Sequence, residues 1–179
     1  MDALETFHPV VRAWFERRFP GGATDPQAAG WPAIARGRHA LIAAPTGSGK
    51  TLAAFLVCID GLIRDAEREG ELADETRVVY VSPLNARAND LHHNLEVPLA
   101  EIRAVGRELD VELPQIRAQV RTGDTTPSVR VSMLRRPPHL LITTPESVSY
   151  THLRAHETRS VIAYAVFCVK KGGGGGGGG

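Results

Sequence analysis

The stretch that decides the fold of this 179-residue chain is Ala44-Pro45-Thr46-Gly47-Ser48-Gly49-Lys50-Thr51. A short apolar run over 39–44 leads into it and predicts a strand, while 50–69 places apolar side chains at the spacing of one helix face. The glycines between them let the backbone turn sharply. The sequence therefore predicts a strand, a tight turn and a long helix in immediate succession.

Strands and helices alternate along the rest of the chain. Apolar periodicity and capping residues predict helices over 3–19, 26–36, 50–69, 84–109 with a break at Pro98, and 125–136, and a further helix start at 144–147. Short apolar runs predict strands over 39–44, 77–82, 119–122 and 139–143. Because helical crossovers between successive strands produce a parallel sheet, the predicted fold class is α/β.

The quoted stretch has the spacing of a P-loop, with Ala44 in place of the first glycine. In such a loop, backbone N–H groups and the positive end of the following helix surround phosphate oxygens. The Lys50 ammonium can reach the β- and γ-phosphates of a nucleotide, and the Thr51 hydroxyl can ligate Mg²⁺, so both are assigned catalytic roles. Lys50 is the only lysine in residues 1–147, against sixteen arginines, which packing does not explain. The predicted nucleotide-binding residues here are Thr46, Gly47, Ser48, Gly49, Lys50 and Thr51.

Charge and composition exclude several classes of protein. Residues 1–147 hold 17 basic and 19 acidic side chains, a net charge of about −2, which excludes nucleic-acid binding by bulk positive charge alone. The chain has no apolar run of the ~18 residues that a membrane span needs, and its two cysteines lack metal-ligand spacing. Asp2 and Glu5 do not fit a signal peptide. We expect a cytoplasmic protein with no membrane partner.

The P-loop and the residues before it resemble a known family. Residues 44–51 look like motif I of the superfamily 2 (DEAD/DEAH-like) helicases, and residues 24–34 resemble their Q motif. Gln27 then corresponds to the glutamine whose amide reads the adenine edge, and one acceptor and one donor suit that task. The resemblance implies ATP rather than GTP as the cofactor, with Mg²⁺.

Three further stretches narrow the resemblance to the large helicase-related (Lhr) branch. Residues 81–90 resemble motif Ia of that branch, 121–125 also look like that branch, and 142–147 look like its motif Ib. Asn85 stands where the family commonly has lysine, which removes one positive charge near the nucleic-acid path. The resemblance covers essentially all of 1–147. It implies a RecA-like, ATP-dependent 3′-to-5′ helicase motor that acts on single-stranded DNA or RNA–DNA hybrids in DNA repair.

The residues expected to contact nucleic acid lie just after predicted strands. They are Pro83, Leu84, Asn85, Thr122, Gly123, Thr144, Pro145, Glu146 and Ser147. Open α/β sheets bind ligands beyond the carboxyl ends of their strands. Helix N-terminal N–H groups and hydroxyls can hold phosphates without lysines, and such contacts read the nucleic-acid backbone rather than its sequence.

Residues 148–179 do not continue the family pattern. Such a helicase has an Asp-Glu-x-His box 20–30 residues after motif Ib, whereas 148–179 contain a single acid, Glu157, and end in eight glycines. Residues 148–158 and 164–168 resemble a translated sequencing adapter. We therefore expect 1–147 to be a RecA-like domain that is incomplete at its C-terminal side, binds ATP weakly and does not hydrolyse it, and 148–179 to be non-native.

Two other functions stay open on the sequence. One is a DEAD-box-like RNA helicase, which the acidic box would distinguish. The other is a P-loop nucleotide-binding protein, such as a switch or a kinase, that does not bind nucleic acid. Gln27 and the stretch 143–147 argue against the second alternative.

Overall fold

A computed structural model of the chain describes residues 3–42, 49–81, 88–145 and 147. A 3₁₀ turn, Ala3–Thr6, precedes the first helix. The described helices are α1 Pro9–Arg18, α2 Asp25–Ala35, α3 Lys50–Glu69, α4 Ala88–Glu108 and α5 Pro127–Arg135. The described strands are β1 Val78–Val81, β2 Ala118–Arg121 and β3 Leu140–Thr143. Strands and helices alternate as the sequence predicts, and the bounds of α3 agree with the prediction at both ends.

The three described strands form one parallel sheet in the order β1-β3-β2. Leu140 of the central strand is level with Val78 on one side and with Ala118 on the other. All four residues of β3 are buried, which is expected of a strand covered on both faces of a parallel sheet. The predicted α/β class with a parallel sheet is therefore confirmed.

The strand predicted over 39–44 is wrong within the described residues. Residues 39–42 take no regular structure, and Leu41 is 91% exposed. An extended segment becomes a strand only where a neighbour satisfies its N–H and C=O groups. Among the described residues no strand pairs with 39–42, so local apolarity alone does not produce one. Residues 43 and 44 lie outside the described part.

Two predicted helix boundaries are also wrong. The helix expected over 3–19 is divided, because the His8 side chain accepts the Val10 N–H and Pro9 starts α1 in the first helical turn. The break expected at Pro98 is absent, since α4 runs continuously from Ala88 to Glu108. Burial of Leu95, Leu99 and Ile102 on one side of α4 offsets the ~3 kcal/mol that an internal proline costs.

An aromatic cluster holds the N-terminal helices against the rest of the domain. Phe7 and Phe15 both pack edge-on against Trp31, with ring centroids 4.9 and 5.2 Å away. The indole N–H of Trp31 donates to the Ala53 carbonyl of α3 at 3.0 Å, and that of Trp14 donates to Glu101 of α4 at 2.8 Å. These contacts fix α2 beside the first turns of α3.

A partly exposed ion-pair cluster joins the end of α3 to the start of β1. Arg77 precedes β1, and its side chain is only 12% exposed. Its guanidinium contacts Glu69 at 2.5 Å, Glu75 at 2.9 Å and Asp65 at 3.2 Å. Hydrogen bonding to Arg77 lowers the pKa of Glu69, and the same bond raises the pKa of Arg77.

His139, at the start of the central strand, is buried in its neutral form. It is 1% exposed, and its Nδ1 accepts the Arg117 N–H at 3.2 Å. Burial, followed by the nearby positive charge of Arg117, lowers the pKa of His139 to about 4. An unfolded histidine has a pKa near 6.5.

The pKa of His139 predicts a pH-dependent stability. Between about pH 6.5 and 4 the unfolded chain binds a proton at His139 that the folded chain does not, so stability is full above pH 6.5 and falls as the pH falls, by up to about 1.4 kcal/mol per pH unit. His139→Asn keeps an acceptor for the Arg117 N–H and should flatten this dependence in urea unfolding. His39→Asn, at an exposed histidine, is the control. A wild-type slope that persists in His139→Asn would contradict the assignment.

Candidate nucleotide and nucleic-acid site

The described end of the P-loop is Gly49, which leads directly into α3. Gly49 has φ +77° and ψ 16°, the left-handed conformation that favours glycine, and Lys50 is the first residue of the helix. Lys50 and Thr51 are both half-buried. They stand at the positive end of a 20-residue helix, where free N–H groups attract anions. Thr46, Gly47 and Ser48 lie outside the described residues.

Gln27 contacts this loop end directly. Its side chain is 4% exposed, and its amide makes two hydrogen bonds to the backbone. The Oε1 atom accepts the Thr24 N–H at 2.9 Å and so completes the capping box of α2, while Nε2 donates to the Gly49 carbonyl at 3.3 Å. The predicted adenine-reading residue is thus adjacent to the predicted phosphate-binding residues, although they are 22 positions apart in the chain.

The contact between Gln27 and Gly49 is close. A Cβ atom on Gly49 would lie 2.5 Å from Gln27 Nε2, so the amide would have to move to accommodate it. The positive φ of Gly49 is the stronger reason for glycine at this position, because the amide is the end of a side chain that can turn. A cradle of this kind, with a lysine and a hydroxyl at the helix start, fits a magnesium–nucleotide complex.

Tyr80 of β1 is a site residue that the sequence analysis missed. Its hydroxyl lies next to that of Thr51, and its ring packs on Phe55 with centroids 4.6 Å apart. Tyr80 is 4% exposed, and burial raises its pKa, so the hydroxyl stays neutral. Alternating burial along β1 could have identified Tyr80 as an inward-facing residue, but its contact with Thr51 depends on how α3 packs on the sheet.

The parallel sheet brings the predicted nucleic-acid residues to the same edge. In the strand register Thr143 is level with both Val81 and Arg121, so β1, β3 and β2 end together. Thr122 and Gly123 follow β2 and Thr144 follows β3 at this edge. Since Tyr80, one residue before the end of β1, touches Thr51, the nucleotide side lies at this edge as well. Pro83, Leu84, Asn85 and Glu146 lie outside the described residues.

The two described turns at this edge are ordered by their own hydroxyls. The Thr122 N–H donates to Thr125 Oγ1 at 2.8 Å, and the Thr125 N–H returns to the Thr122 carbonyl at 3.2 Å. After β3, Thr144 Oγ1 donates to Ser147 Oγ at 3.1 Å, and Pro145 and Ser147 are helical. The arrangement offers hydroxyls and N–H groups to acceptors without placing a dense positive charge there.

A cavity of about 810 Å³ lies at the opposite edge of the sheet. It is lined by the last turn of α3, the loops that follow α3 and α4, and His139. These groups precede the strands, whereas the start of α3 lies at the edge where the strands end, so the cavity is separate from the described part of the candidate site. Within the described residues there is no group of three metal-ligating side chains, and no described helix is long and apolar enough to cross a membrane.

Comparison with known proteins agrees with this geometry. The model of the DEAD/DEAH box helicase family matches residues 24–167, which extends beyond residue 147. The ATP-dependent helicase Lhr-Core protein 2 of Thermococcus barophilus is 50% identical over 148 residues, 83% of this chain and 17% of the relative. The Lhr helicase/uracil glycosylase of Escherichia coli is 43% identical over 86% of this chain and 10% of the relative. The chain thus spans less than a fifth of the length of these relatives.

Solved structures have the same fold. The helicase Lhr of Mycobacterium smegmatis, bound to ssDNA and AMP-PNP, is 44% identical and superposes with a TM-score of 0.74 over 83% of this chain and 18% of that one. The DUF1998 helicase MrfA bound to DNA, at 23% identity and a TM-score of 0.64, shares the fold over 85% of this chain and 19% of its own. The fold is that of a RecA-like helicase domain, and the chain belongs to the DEAD/DEAH box helicase family.

Proposed function

We propose that this chain is the part of an ATP-dependent helicase motor that binds ATP and single-stranded nucleic acid. The observation that carries the proposal is the linked contact set around the start of α3. Gln27 holds Gly49 from one side, and Tyr80 of β1 contacts Thr51 from the other. A nucleotide bound at this helix start would therefore touch residues tied both to α2 and to the strand that leads into motif Ia.

We further propose the role of each residue toward the nucleotide. Lys50 supplies a point charge to the β- and γ-phosphates, and the N–H groups of the first turn of α3 add hydrogen bonds. Thr51 offers an oxygen ligand to Mg²⁺. Gln27 can turn its amide from the Gly49 carbonyl to the adenine edge, since the same donor and acceptor serve both. When bound, ATP supplies the phosphoryl-transfer free energy of the motor.

We infer single-stranded DNA as the nucleic-acid partner. The relative that is 44% identical was solved with ssDNA, and the edge formed by the ends of β2 and β3 carries N–H and hydroxyl groups suited to phosphate oxygens. RNA–DNA hybrids as substrates, 3′-to-5′ translocation and a role in DNA repair belong to this proposal through the Lhr resemblance, and a cytoplasmic location belongs to it through the composition of the chain. Among the relatives, an rRNA helicase is only 28% identical, which gives the RNA alternative less support.

Replacing Lys50 tests the nucleotide site. Loss of one charged hydrogen-bonding partner costs about 1.5–3 kcal/mol, so Lys50→Ala should bind a fluorescent ATP analogue about ten- to a hundredfold more weakly. Arg36→Ala, which removes an exposed positive charge at the end of α2, should bind as the wild type does. Binding of the analogue by Lys50→Ala with wild-type affinity would reject the proposed site.

The wild-type chain should release no phosphate from ATP, because 148–179 lack an acidic pair. Phosphate release that single strands stimulate would contradict the expectation that this chain does not hydrolyse ATP.

A second prediction concerns Gly49. Gly49→Ala forces a side chain into the left-handed region, at roughly 1–2 kcal/mol, and against the Gln27 amide, so it should weaken analogue binding about tenfold. Gly61→Ala is the matched control in the same helix. A Cβ there meets nothing within 4 Å, so this change should raise stability by up to about 1 kcal/mol and leave binding unchanged. Full analogue affinity in Gly49→Ala would show that this geometry does not serve the nucleotide.

The nucleic-acid edge is tested at Thr144 and Ser147. The double variant Thr144→Ala/Ser147→Ala removes two hydroxyls worth about 1 kcal/mol each and should bind a labelled oligothymidylate at least about tenfold more weakly. Wild-type affinity should fall as salt rises, with a slope near −0.7 for each phosphate contacted. Ser132→Ala, on the exposed side of α5, should leave binding unchanged. If the wild-type protein does not bind single strands at low salt, the alternative of a P-loop nucleotide-binding protein that does not bind nucleic acid is favoured.

A further inference from the structure

The turn between β2 and α5 is closed by a residue that the sequence analysis did not identify. Arg130, from the second turn of α5, reaches back to the turn, where its Nη2 donates to the Gly123 carbonyl at 2.9 Å. The turn already closes on itself through Thr122 and Thr125. The Arg130 bond therefore adds a contact at the tip of the turn, where Gly123 and Asp124 are exposed.

Placing Arg130 there has a cost. Its Nε atom is buried and has no hydrogen-bond acceptor among the described residues. A buried donor without an acceptor loses its hydration and gains nothing in return, so such groups are rare in folded proteins. An apolar side chain could fill this space without that cost. The bond from Arg130 to the Gly123 carbonyl is therefore the gain that an apolar side chain could not provide.

The direction of one peptide unit follows from this bond. The Gly123 carbonyl and the Asp124 N–H belong to the same trans peptide and point in opposite directions. Because Arg130 holds the carbonyl toward α5, the Asp124 N–H points away from α5. That N–H has no acceptor among the described residues, and it lies at the sheet edge shared with Thr144.

We propose that Arg130 is a positioning residue for nucleic-acid binding: it holds the Gly123 carbonyl and thereby aims the Asp124 N–H at an acceptor oxygen of the bound strand. This role rests on the proposed function of the edge. The exposed Asp124 carboxylate opposes phosphate by its charge, so the contact depends on the orientation of the N–H rather than on net attraction. Arg130 acts on the strand through the Gly123 carbonyl, to which its Nη2 donates.

The test uses the full 179-residue chain and a labelled oligothymidylate, with anisotropy titrations at several salt concentrations. Arg130→Ala should bind at least about fivefold more weakly at every salt concentration, with the same slope of log affinity against log salt as the wild type. Arg130→Lys, which can still donate to the Gly123 carbonyl, should recover part of the affinity. Arg135→Ala, an exposed arginine of the same helix, should bind as the wild type does. Unchanged binding of the ATP analogue would show that Arg130→Ala is folded; if it is not, Arg130→Lys alone decides.

The slope separates positioning from direct contact. A slope reduced by about 0.7 in Arg130→Ala would mean that Arg130 neutralises a phosphate of the single strand itself, and would overturn the proposal. Wild-type affinity in Arg130→Ala would also overturn it, while leaving the proposed function intact. If the wild-type protein does not bind the oligonucleotide, both the positioning role of Arg130 and the proposed binding of nucleic acid at this edge are wrong.

The NMR spectrum of the free protein tests the geometry without nucleic acid. The Asp124 amide resonance should shift in Arg130→Ala and keep its wild-type position in Arg135→Ala, because only the first change releases the Gly123 peptide. Weaker oligonucleotide binding together with an unchanged Asp124 amide would overturn the positioning role.

Discussion

Helix α3 is tied to strand β1 at both of its ends. At its start Thr51 lies next to Tyr80, and at its end Asp65 and Glu69 bind Arg77, which precedes β1. A helix held at points roughly 21–27 Å apart along its axis has little freedom to slide or tilt over the sheet. Every other part of the site is placed with reference to it, since α2 reaches the loop through Gln27 and Gly49.

The edge that the strands share explains how a near-neutral domain can be suited to a polyanion. Parallel strands that end in register gather the turns after β2 and β3 in one place, together with the start of α3. Each turn presents oriented N–H and hydroxyl groups, which act over short distances and need no excess of lysine. In this domain oriented backbone groups would bind phosphates, whereas strongly basic domains bind them through a high density of positive charge. The strand register sets the positions of these backbone groups.

The helices and the start of the nucleotide site could be predicted from the sequence, because their signals come from residues close together in the chain. Helix α3 follows from apolar spacing and from the glycine before Lys50, and the capping box at Thr24 follows from residue types three positions apart. Residues 39–42 and Pro98 contradicted their local signals, since pairing in the first case and packing in the second depend on distant residues. Tyr80 was missed for the same reason. Its role is set by a neighbour on another element, and no periodicity encodes that neighbour.

The bond between Trp14 and Glu101 joins residues that are 87 positions apart, and this separation affects how the chain reaches its fold on the ribosome. Helix α1 leaves the ribosome well before α4, against which it packs. At roughly 5–20 residues per second, α1 waits about 4–17 seconds before α4 exists. During that interval Trp14 and Phe15 have only part of their burial available, so α1 becomes fully packed only after α4 has been made.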